Sequence, residues 1–161
     1  MSDIDLRIGQ GYDVHQLVES IPLIICRVTI DSPKGSLGHS DGDVGIHAIC
    51  DAILGALALG DLGKYFPSTK VLEGANSQDF LIEVLSLMAN RRYEIRNIDC
   101  TIILQTPHIN QYIEKMRKNI STICHIDVDK VSVKATTTDK IGSLGRGEGI
   151  GASAVVLLGK R

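Results

Sequence analysis

The sequence predicts an α+β fold in which helices pack on one face of a mixed β-sheet. Segments with the alternating or β-branched character of strands come first, and helical and strand segments then alternate along the chain. One long segment is apolar around its whole helical circumference, which predicts a helix buried on all sides. We expect the 161 residues to form one domain, 1–161, which needs neither disulfides nor a structural metal to fold.

The first part of the chain predicts strands followed by the buried helix. Residues 6–12 alternate as in a strand that runs to Asp13, and the β-branched character of 21–26 and of 27–30 indicates further strand. The composition of 31–35 is typical of a turn. A helix is expected over 43–59, and the full burial of such an apolar helix in so short a chain indicates contact with another subunit.

The second part of the chain predicts helices and strands in alternation. Asn76 or Ser77 caps a second helix, and an amphipathic third helix spans 109–123. The remaining segments are strands at 93–105, 131–135 and 152–158, with a glycine-rich loop at 142–151 before the last of them.

Composition excludes several classes of protein. The net charge of −2 leaves no broad basic surface for nucleic acid or anionic membrane, and no apolar run is long enough to span a bilayer. The four cysteines lie far apart in apolar segments, as reduced core residues do: Cys26, Cys50, Cys100 and Cys124. Because the acidic start is unlike a secretion signal, we expect a cytoplasmic protein, or one in a plastid-like organelle if a transit segment has been removed.

Asp13, His15 and His47 form the strongest candidate site. On a strand, Asp13 and His15 point to the same face, and His47 can reach that face from the start of the long helix. Two imidazoles and one carboxylate suit a zinc-like divalent ion, and three protein ligands leave a fourth position open. The spacing alone fits a capping aspartate and two ordinary histidines equally well. Asp51, one turn after His47, is expected to accept its second ring N–H, unless the two are only polar neighbours on the helix.

Other polar segments suit a phosphorylated ligand, although each also has an ordinary structural explanation. Residues 39–43 are typical of a helix N-terminus, which can bind phosphate, but their acidic members oppose an anion unless they face away. Residues 134–140 combine threonines and lysines with Asp139, a ligand for a hard cation; alone, they indicate a strand end and a turn. In the glycine-rich loop, Arg146 is either a phosphate clamp or the partner of Glu148.

Taken together, these segments resemble the 2-C-methyl-D-erythritol 2,4-cyclodiphosphate synthase family of the non-mevalonate isoprenoid pathway. The resemblance covers nearly the whole chain, and five motifs occur in the family's order and at its spacing. They are Gly11–His15, His39–Asp43, Gly60–Pro67, Lys134–Thr138 and Gly145–Gly149. The resemblance implies a homotrimer with active sites between adjacent subunits.

The resemblance also implies a role for each candidate residue. One subunit would bind zinc through Asp13, His15 and His47 and hold the methylerythritol phosphate, while its neighbour would hold the cytosine and the diphosphate. A second cation, Mg²⁺ or Mn²⁺, would bind at Asp139, and His39 and Thr137 would hydrogen-bond the phosphates in the transition state. The residues implied near the methylerythritol phosphate are His39, Ser40, Asp61, Leu62 and Gly63, and those implied as further substrate-binding residues are Phe66, Pro67, Ser68, Thr69 and Lys70. Those implied around the cytosine and diphosphate are Leu104, Gln105, Thr106, Pro107, His108, Ile109, Asn110, Thr136 and Thr138, with Ser143 and Arg146 as further substrate-binding residues.

The implied reaction is an intramolecular phosphoryl transfer catalysed by a phosphorus–oxygen lyase. The 2-phosphate of 4-diphosphocytidyl-2-C-methyl-D-erythritol 2-phosphate would attack the β-phosphorus, so that CMP leaves and a cyclic diphosphate forms. The chain departs from the family's usual pattern at Asp139, where glutamate is common, at Ser143, where an aromatic residue is common, and at 68–70, where aspartates are common.

Two other functions remain open at the level of sequence. A metal phosphohydrolase could use the same three ligands, but it would need a base to activate water and would release free phosphate. A non-catalytic trimeric binding module would tolerate loss of the metal ligands, and the presence of all three disfavours it.

Overall fold

The structure, a computed structural model, describes residues 5–67 and 74–161. Its strands are β1 (Leu6–Glu19), β2 (Leu23–Ile25), β3 (Val28–Ile30), β4 (Lys34–Leu37), β5 (Tyr93–Ile103), β6 (Val131–Thr136) and β7 (Gly149–Lys160). Its α-helices are α1 (Val44–Ala56), α2 (Leu62–Tyr65), α3 (Ser77–Asn90), α4 (Ile113–Cys124) and α5 (Gly142–Gly145).

The centre of the fold is a five-stranded sheet with the order β4-β1-β7-β5-β6, beside a separate hairpin of β2 and β3. β1 and β5 flank β7 and are antiparallel to it, whereas β5 and β6 are parallel. Helices α1, α3 and α4 pack on one side of this sheet. The mixed sheet and its helices confirm the predicted α+β class.

The opposite face of the sheet carries large apolar side chains that no helix in the described ranges covers. Ile8 is 71% exposed, Tyr12 is 56% exposed and Val14 is 44% exposed on β1, and Val155 is 37% exposed on the neighbouring β7. Soluble chains rarely leave a contiguous apolar surface of this kind uncovered unless it is an interaction site.

Helix α1 lies at the core of the single chain. All its residues are buried except Asp51 and Gly55, because β1 and β7 lie beneath it and α2, α3 and the β2–β3 hairpin pack around it. The expectation that this helix needs another subunit for its burial was therefore wrong. Its apolar circumference is enclosed within one chain, and the uncovered apolar surface is on the sheet instead.

The strand β1 and the helix α1 approach each other closely at two glycines. A Cβ atom at Gly9 would lie 1.9 Å from the carbonyl oxygen of Ala52, and one at Gly11 would lie 1.9 Å from that of Ala48. Only glycine permits backbone-to-backbone contact of this kind. The contact brings residue 47 of the helix opposite residues 13 and 15 of the strand.

Several elements differ from the sequence-based expectation. The two strand segments expected at 21–26 and 27–30 are shorter and form a hairpin, because Cys26 and Arg27 form a turn with φ of 47° and 63°. Asn-Gly or Asp-Gly would have signalled such a turn, and Cys-Arg does not. The expected turn at 31–35 leads directly into β4, and one helical turn, α5, interrupts the glycine-rich loop.

The cysteines agree with the expectation from composition. All four cysteines are free and buried, as expected of reduced core residues. Within the described ranges, no helix is both long enough and apolar enough to cross a membrane.

We predict that Gly11→Ala destabilises the protein, because the new methyl group must push α1 away from β1. Overpacking of this kind costs about 1–3 kcal/mol. Gly55→Ala is the matched control, since its Cβ would meet no atom closer than 3.8 Å and alanine stabilises a helix interior by about 0.5–1 kcal/mol. Urea unfolding of both variants checks this, and equal stability of the two would contradict the close contact.

Candidate active site

Asp13, His15 and His47 converge on one point, as the sequence suggested. Asp13 Oδ2 lies 2.8 Å from His15 Nε2 and 3.0 Å from His47 Nδ1, and the two ring nitrogens are 3.2 Å apart. All three ligand atoms fall within the span that a single metal ion can bridge. The candidate metal site is therefore formed by strand β1 on one side and helix α1 on the other.

The chemistry and spacing of these three atoms fit a divalent metal. In a tetrahedral zinc site with bonds of ~2.0–2.2 Å, ligand atoms lie about 3.3 Å apart, and the triangle observed here is only slightly smaller. Two imidazole nitrogens and one carboxylate oxygen favour a transition metal over Mg²⁺, which prefers oxygen ligands. Each side chain is partly exposed, by 24% for Asp13, 17% for His15 and 10% for His47, so a bound ion would remain accessible to a substrate.

The Asp13 carboxylate and the His15 imidazole shift each other's pKa. Burial raises the pKa of Asp13, but the hydrogen bonds from His15 and His47 outweigh burial and hold that pKa well below its usual range. Burial lowers the pKa of His15, but its hydrogen bond to Asp13 outweighs this and raises the pKa. Because both shifts stabilise the charged forms of Asp13 and His15, a divalent metal would bind to these side chains in competition with protons.

Asp43 fixes the start of the helix that carries His47. Its Oδ1 accepts a hydrogen bond from the Ile46 N–H at 3.2 Å and one from the Cys26 N–H at 2.8 Å. Its Oδ2 accepts a further bond from the Arg27 N–H at 2.7 Å. Asp43 thus caps α1, as predicted for this segment, and also ties α1 to the β2–β3 turn.

The second ring nitrogen of His47 does not pair with Asp51, so that prediction was wrong. His47 Nε2 lies 3.0 Å from Ser40 Oγ, whereas Asp51 Oδ1 accepts a hydrogen bond from the Leu62 N–H at 2.7 Å. The imidazole turns Nδ1 toward Asp13, which leaves Nε2 facing the loop before α1 rather than the next turn of the helix. Ser40 therefore orients the metal ligand, and Asp51 orients α2.

A cavity of about 260 Å³ opens beside the metal triad. His39 and Ser40 line it from the loop before α1, and Asp51 lines it from α1. The remaining wall is largely apolar and consists of Leu62, Gly63, Phe66, Pro67 and Phe80. Six of the residues implied for catalysis or for substrate binding thus surround one cavity: His39, Ser40, Leu62, Gly63, Phe66 and Pro67.

Phe80 also lines this cavity, although it is not among the site residues that the sequence implies. Its ring stacks on Phe66 with centroids 4.4 Å apart and lies 6.1 Å from the His47 ring. Helix periodicity correctly predicts that Phe80 faces inward. The sequence does not indicate that the Phe80 ring reaches the metal site, because the position of the ring depends on how α3 packs against α1.

A second cavity, of about 160 Å³, lies at the end of β6. It is lined by Leu104, Pro107, His108, Ile109, Asn110, Ala135, Thr136 and Thr137. Gln105 joins the same region, because its Oε1 accepts a hydrogen bond from the Lys140 N–H at 3.1 Å. The structure thus brings the segment implied around the cytosine next to the segment implied around the diphosphate.

The other candidate residues have the following positions. Asp61 caps α2 by accepting the Lys64 N–H at 3.0 Å, next to the metal cavity. The Asp139 N–H donates to Thr137 Oγ1 at 3.2 Å, and Thr138 Oγ1 donates to the Ile141 carbonyl at 2.8 Å, in the turn after β6. Thr106 and Arg146 line a third cavity of about 300 Å³, Ser143 is exposed in α5, and Ser68, Thr69 and Lys70 lie outside the described residues.

Of the two alternatives for Arg146, the structure shows the ion pair. Its Nε lies 2.6 Å from Glu148 Oε1, and both side chains are more than half exposed. This pair raises the pKa of Arg146 and lowers the pKa of Glu148. The Arg146 guanidinium is therefore directed toward a carboxylate of its own loop.

The sequence has close relatives among characterised proteins. The sequence model of the YgbB family matches residues 6–159. The chain belongs to the YgbB family. Two of its relatives are named 2-C-methyl-D-erythritol 2,4-cyclodiphosphate synthase. The one from Pseudoalteromonas atlantica is 51% identical over 98% of both chains. The one from Geobacillus kaustophilus is 54% identical over 96% of this chain and 98% of the other. The resemblance drawn from the five motifs is thereby confirmed.

Solved structures of the YgbB type share the fold. The structure of IspF from Plasmodium falciparum in complex with CDP has a TM-score of 0.86 and 38% identity, and the match covers 97% of each chain. The bifunctional IspDF from Campylobacter jejuni has a TM-score of 0.95 and 36% identity, covering 99% of this chain and 43% of the longer one. The arrangement of sheet and helices is therefore the one found in these solved structures.

We predict that Ser40→Ala weakens zinc binding by about 10–100-fold in the absence of substrate, because His47 loses the partner that orients its ring. Titration against a chromogenic chelator measures the affinity directly. Ser86→Ala, at an exposed position in α3, is the matched control and should bind zinc as the wild type does. Equal affinities of the two variants would show that Ser40 does not orient the ligand.

Proposed function

We propose that this chain is a phosphorus–oxygen lyase that converts 4-diphosphocytidyl-2-C-methyl-D-erythritol 2-phosphate to 2-C-methyl-D-erythritol 2,4-cyclodiphosphate and CMP. The observation that carries the proposal is the Asp13–His15–His47 triad, which opens into a cavity lined by His39 and Ser40. The names of relatives that match almost the full length of the chain support the same reaction. The step belongs to the non-mevalonate route to isoprenoids.

The chemistry requires positioning more than a protein nucleophile. An oxygen of the 2-phosphate forms a new bond to the β-phosphorus, and the bond from that phosphorus to the oxygen bridging it to the α-phosphate breaks. The bridging oxygen leaves on CMP with the electron pair of that bond. Because the attacking phosphate is already ionised, the protein has to bring two anions together in line and reduce their repulsion.

The chain's own residues can meet these needs in the metal cavity. The triad would hold a divalent metal, which we propose to be Zn²⁺ because two of its three ligands are imidazoles. Bound there, the ion would supply Lewis-acid neutralisation of phosphoryl charge. His39 and Ser40 offer hydrogen-bonding groups beside the triad, and the apolar wall that includes Phe66 and Phe80 limits access of water.

The cavity at the end of β6 supplies the other half of the site. We propose that Leu104–Asn110 surround the cytosine and that Thr136–Thr138 hydrogen-bond the diphosphate, with Thr137 acting on the transition state. Asp139 would hold Mg²⁺ or Mn²⁺, since carboxylate oxygen suits a hard cation, and the cation would reduce the negative charge of the diphosphate. Structures of relatives in complex with CDP support a cytidine nucleotide at this site.

The two halves lie too far apart in one chain to share a diphosphate. Asp13 pairs with Ala152 of β7, Ala152 pairs with Ile102 of β5, and Ile102 pairs with Ala135 of β6. Three strand spacings separate the metal triad from Thr136, which amounts to roughly 14 Å. A diphosphate that contacts both would need the triad of one subunit and the threonines of another.

The uncovered sheet face offers the surface for such an assembly. Ile8, Tyr12, Val14 and Val155 are exposed together on the side of the sheet away from the helices. A cyclic homo-oligomer buries such a face and repeats the same pairing of unlike half-sites at every interface. We propose the homotrimer that the family resemblance implies, with its active sites between subunits. The cytoplasmic location stays a prediction.

The function is tested by incubating zinc-loaded protein and Mg²⁺ with the diphosphocytidyl substrate and recording phosphorus NMR spectra. We expect CMP together with two coupled resonances from the cyclic diphosphate. His47→Ala should lose zinc and turnover, whereas His125→Asn, at an exposed left-handed position of α4's C-cap, should retain both. Release of free phosphate would favour a phosphohydrolase, and an unchanged substrate with zinc bound would contradict the proposal.

The assembly is tested by sedimentation. We expect a species of three times the 17.4 kDa of one chain. Ile8→Glu should shift the protein toward monomers, because it places a charge in the apolar face, whereas Ile82→Glu, at an exposed position in α3, should not. A wild-type monomer, or a trimer unaffected by Ile8→Glu, would contradict the proposed interface.

A further inference from the structure

The turn between β2 and β3 holds two residues in a conformation that neither favours. Cys26 and Arg27 have φ of 47° and 63°, in the left-handed region where residues with a Cβ are disfavoured relative to glycine. The turn is held in place on both sides. Asp43 accepts both backbone N–H groups, and Asn119 Nδ2 of α4 donates to both carbonyl oxygens, at 3.3 and 3.1 Å.

The Arg27 side chain has a second unfavourable feature. Its Nε is buried without a hydrogen-bond partner in the described part of the chain, although buried polar atoms are normally paired. Its Nη1, by contrast, donates to Asp41 Oδ2 at 2.6 Å. Strain of this kind persists where the surrounding structure fixes it, and such positions cluster at functional sites. Both unfavourable arrangements of Arg27 accompany its contact with Asp41, which indicates that this contact has a function.

Asp41 connects three segments of the chain. Besides Arg27, its Oδ2 accepts hydrogen bonds from the Ser77 N–H at 3.1 Å and the Ser77 hydroxyl at 3.0 Å, at the first residue of α3. Its Oδ1 accepts the Asp43 N–H at 3.2 Å, and its own N–H donates to the Ala75 carbonyl at 3.1 Å. The carboxylate is 13% exposed. Little water competes for these bonds, so they hold the loop firmly.

The loop that Asp41 holds delivers two residues to the metal cavity. His39 and Ser40 directly precede Asp41, and Ser40 Oγ lies 3.0 Å from His47 Nε2. The His39 carbonyl also accepts the Gly74 N–H at 2.7 Å, on the same side of the loop. A shift of Asp41 would move both cavity residues, because a chain segment this short has no room to absorb it.

We infer that Arg27 is a positioning residue for the active site, acting through its ion pair with Asp41 to fix the placement of His39 and Ser40. The inference rests on the proposed function, since it assigns these two residues to the reacting phosphates. Arg27 does not line the metal cavity. Its effect is therefore on the geometry of the transition state, where small displacements of a catalytic group reduce the rate strongly.

The test compares steady-state kinetics of CMP release by zinc-loaded wild type, Arg27→Gly and Arg27→Lys. Glycine relieves the left-handed strain while removing the ion pair, so the fold should be retained. We expect kcat to fall about tenfold in Arg27→Gly with KM changed less than about twofold. Arg27→Lys, which keeps a cation near Asp41, should recover most of kcat. A wild-type kcat in Arg27→Gly, or a loss confined to KM, would overturn the inference.

Arg92→Gly is the matched control. Arg92 is also an arginine in the left-handed region, with φ of 62°, and it is exposed. It makes no ion pair within the described residues. Its kinetics should match those of the wild type. An equal fall of kcat in Arg92→Gly would show that the loss at Arg27 is a general effect of removing a strained arginine.

A second variant keeps the test valid if Arg27→Gly does not fold. Asp41→Asn removes the charge and retains an oxygen that can accept the Ser77 hydrogen bonds, but its amide nitrogen can no longer accept the Asp43 N–H. Its kcat should fall at least as far as in Arg27→Gly, and adding Arg27→Gly to Asp41→Asn should lower kcat little further, because the ion pair is already broken. Losses that multiply in the double variant would overturn the inference.

Hydrogen exchange separates this inference from the proposed function. The N–H groups of Asp41, Gly74 and Ser77 should exchange faster in Arg27→Gly than in the wild type and be unchanged in Arg92→Gly. This readout needs no substrate. If the wild type releases no CMP, the proposed function fails while the exchange rates still report on the loop. Unchanged exchange in Arg27→Gly would overturn the inference itself.

Discussion

The close contact between β1 and α1 is the constraint on which the metal site depends. Gly9 and Gly11 let the carbonyl groups of α1 lie directly on the strand, at a distance that any Cβ would forbid. The strand supplies Asp13 and His15, and the helix supplies His47, so the three ligands meet only while this contact is kept. Asp43 then fixes the start of the helix through buried hydrogen bonds to its N-terminus and to the β2–β3 turn.

The sheet imposes the second constraint, which concerns distance. β7 and β5 lie between the strand that carries the metal ligands and the strand that leads into the threonine segment. In the proposed function, a single chain therefore supplies two separate half-sites for different substrate groups. The same sheet leaves an apolar face uncovered. One element therefore both separates the two half-sites and provides a surface through which copies of the chain could associate. This is the physical basis for placing the proposed active site between subunits.

The sequence predicts those parts of the site that follow from local geometry. Asp13 and His15 are two apart on a strand and so share a face, and a helix N-cap is expected just before His47. The five motifs then identify the family, because their order and spacing together are specific. The strands and helices follow from hydrophobic periodicity, since most of them bury one face.

The parts that the sequence does not predict depend on packing between distant segments. The ring of His47 turns toward Ser40 rather than Asp51, which follows from how the helix meets the strand. Phe80 reaches the metal cavity only because of the angle at which α3 packs. The Cys-Arg sequence of the β2–β3 turn gives no turn signal, so the sequence predicts neither this turn nor the contact of Arg27 with Asp41. Burial of α1 within one chain could not be distinguished from burial by a partner.

The central claim is that each active site combines the metal triad of one subunit with the threonine segment of another. The most direct test co-expresses His47→Ala with Thr137→Ala, each inactive alone, and measures CMP release by the mixed oligomers. With random mixing in a cyclic trimer, about a quarter of the sites combine two intact halves, so about a quarter of wild-type activity should return. Activity no higher than that of the separate variants would place both halves within one chain and contradict the account.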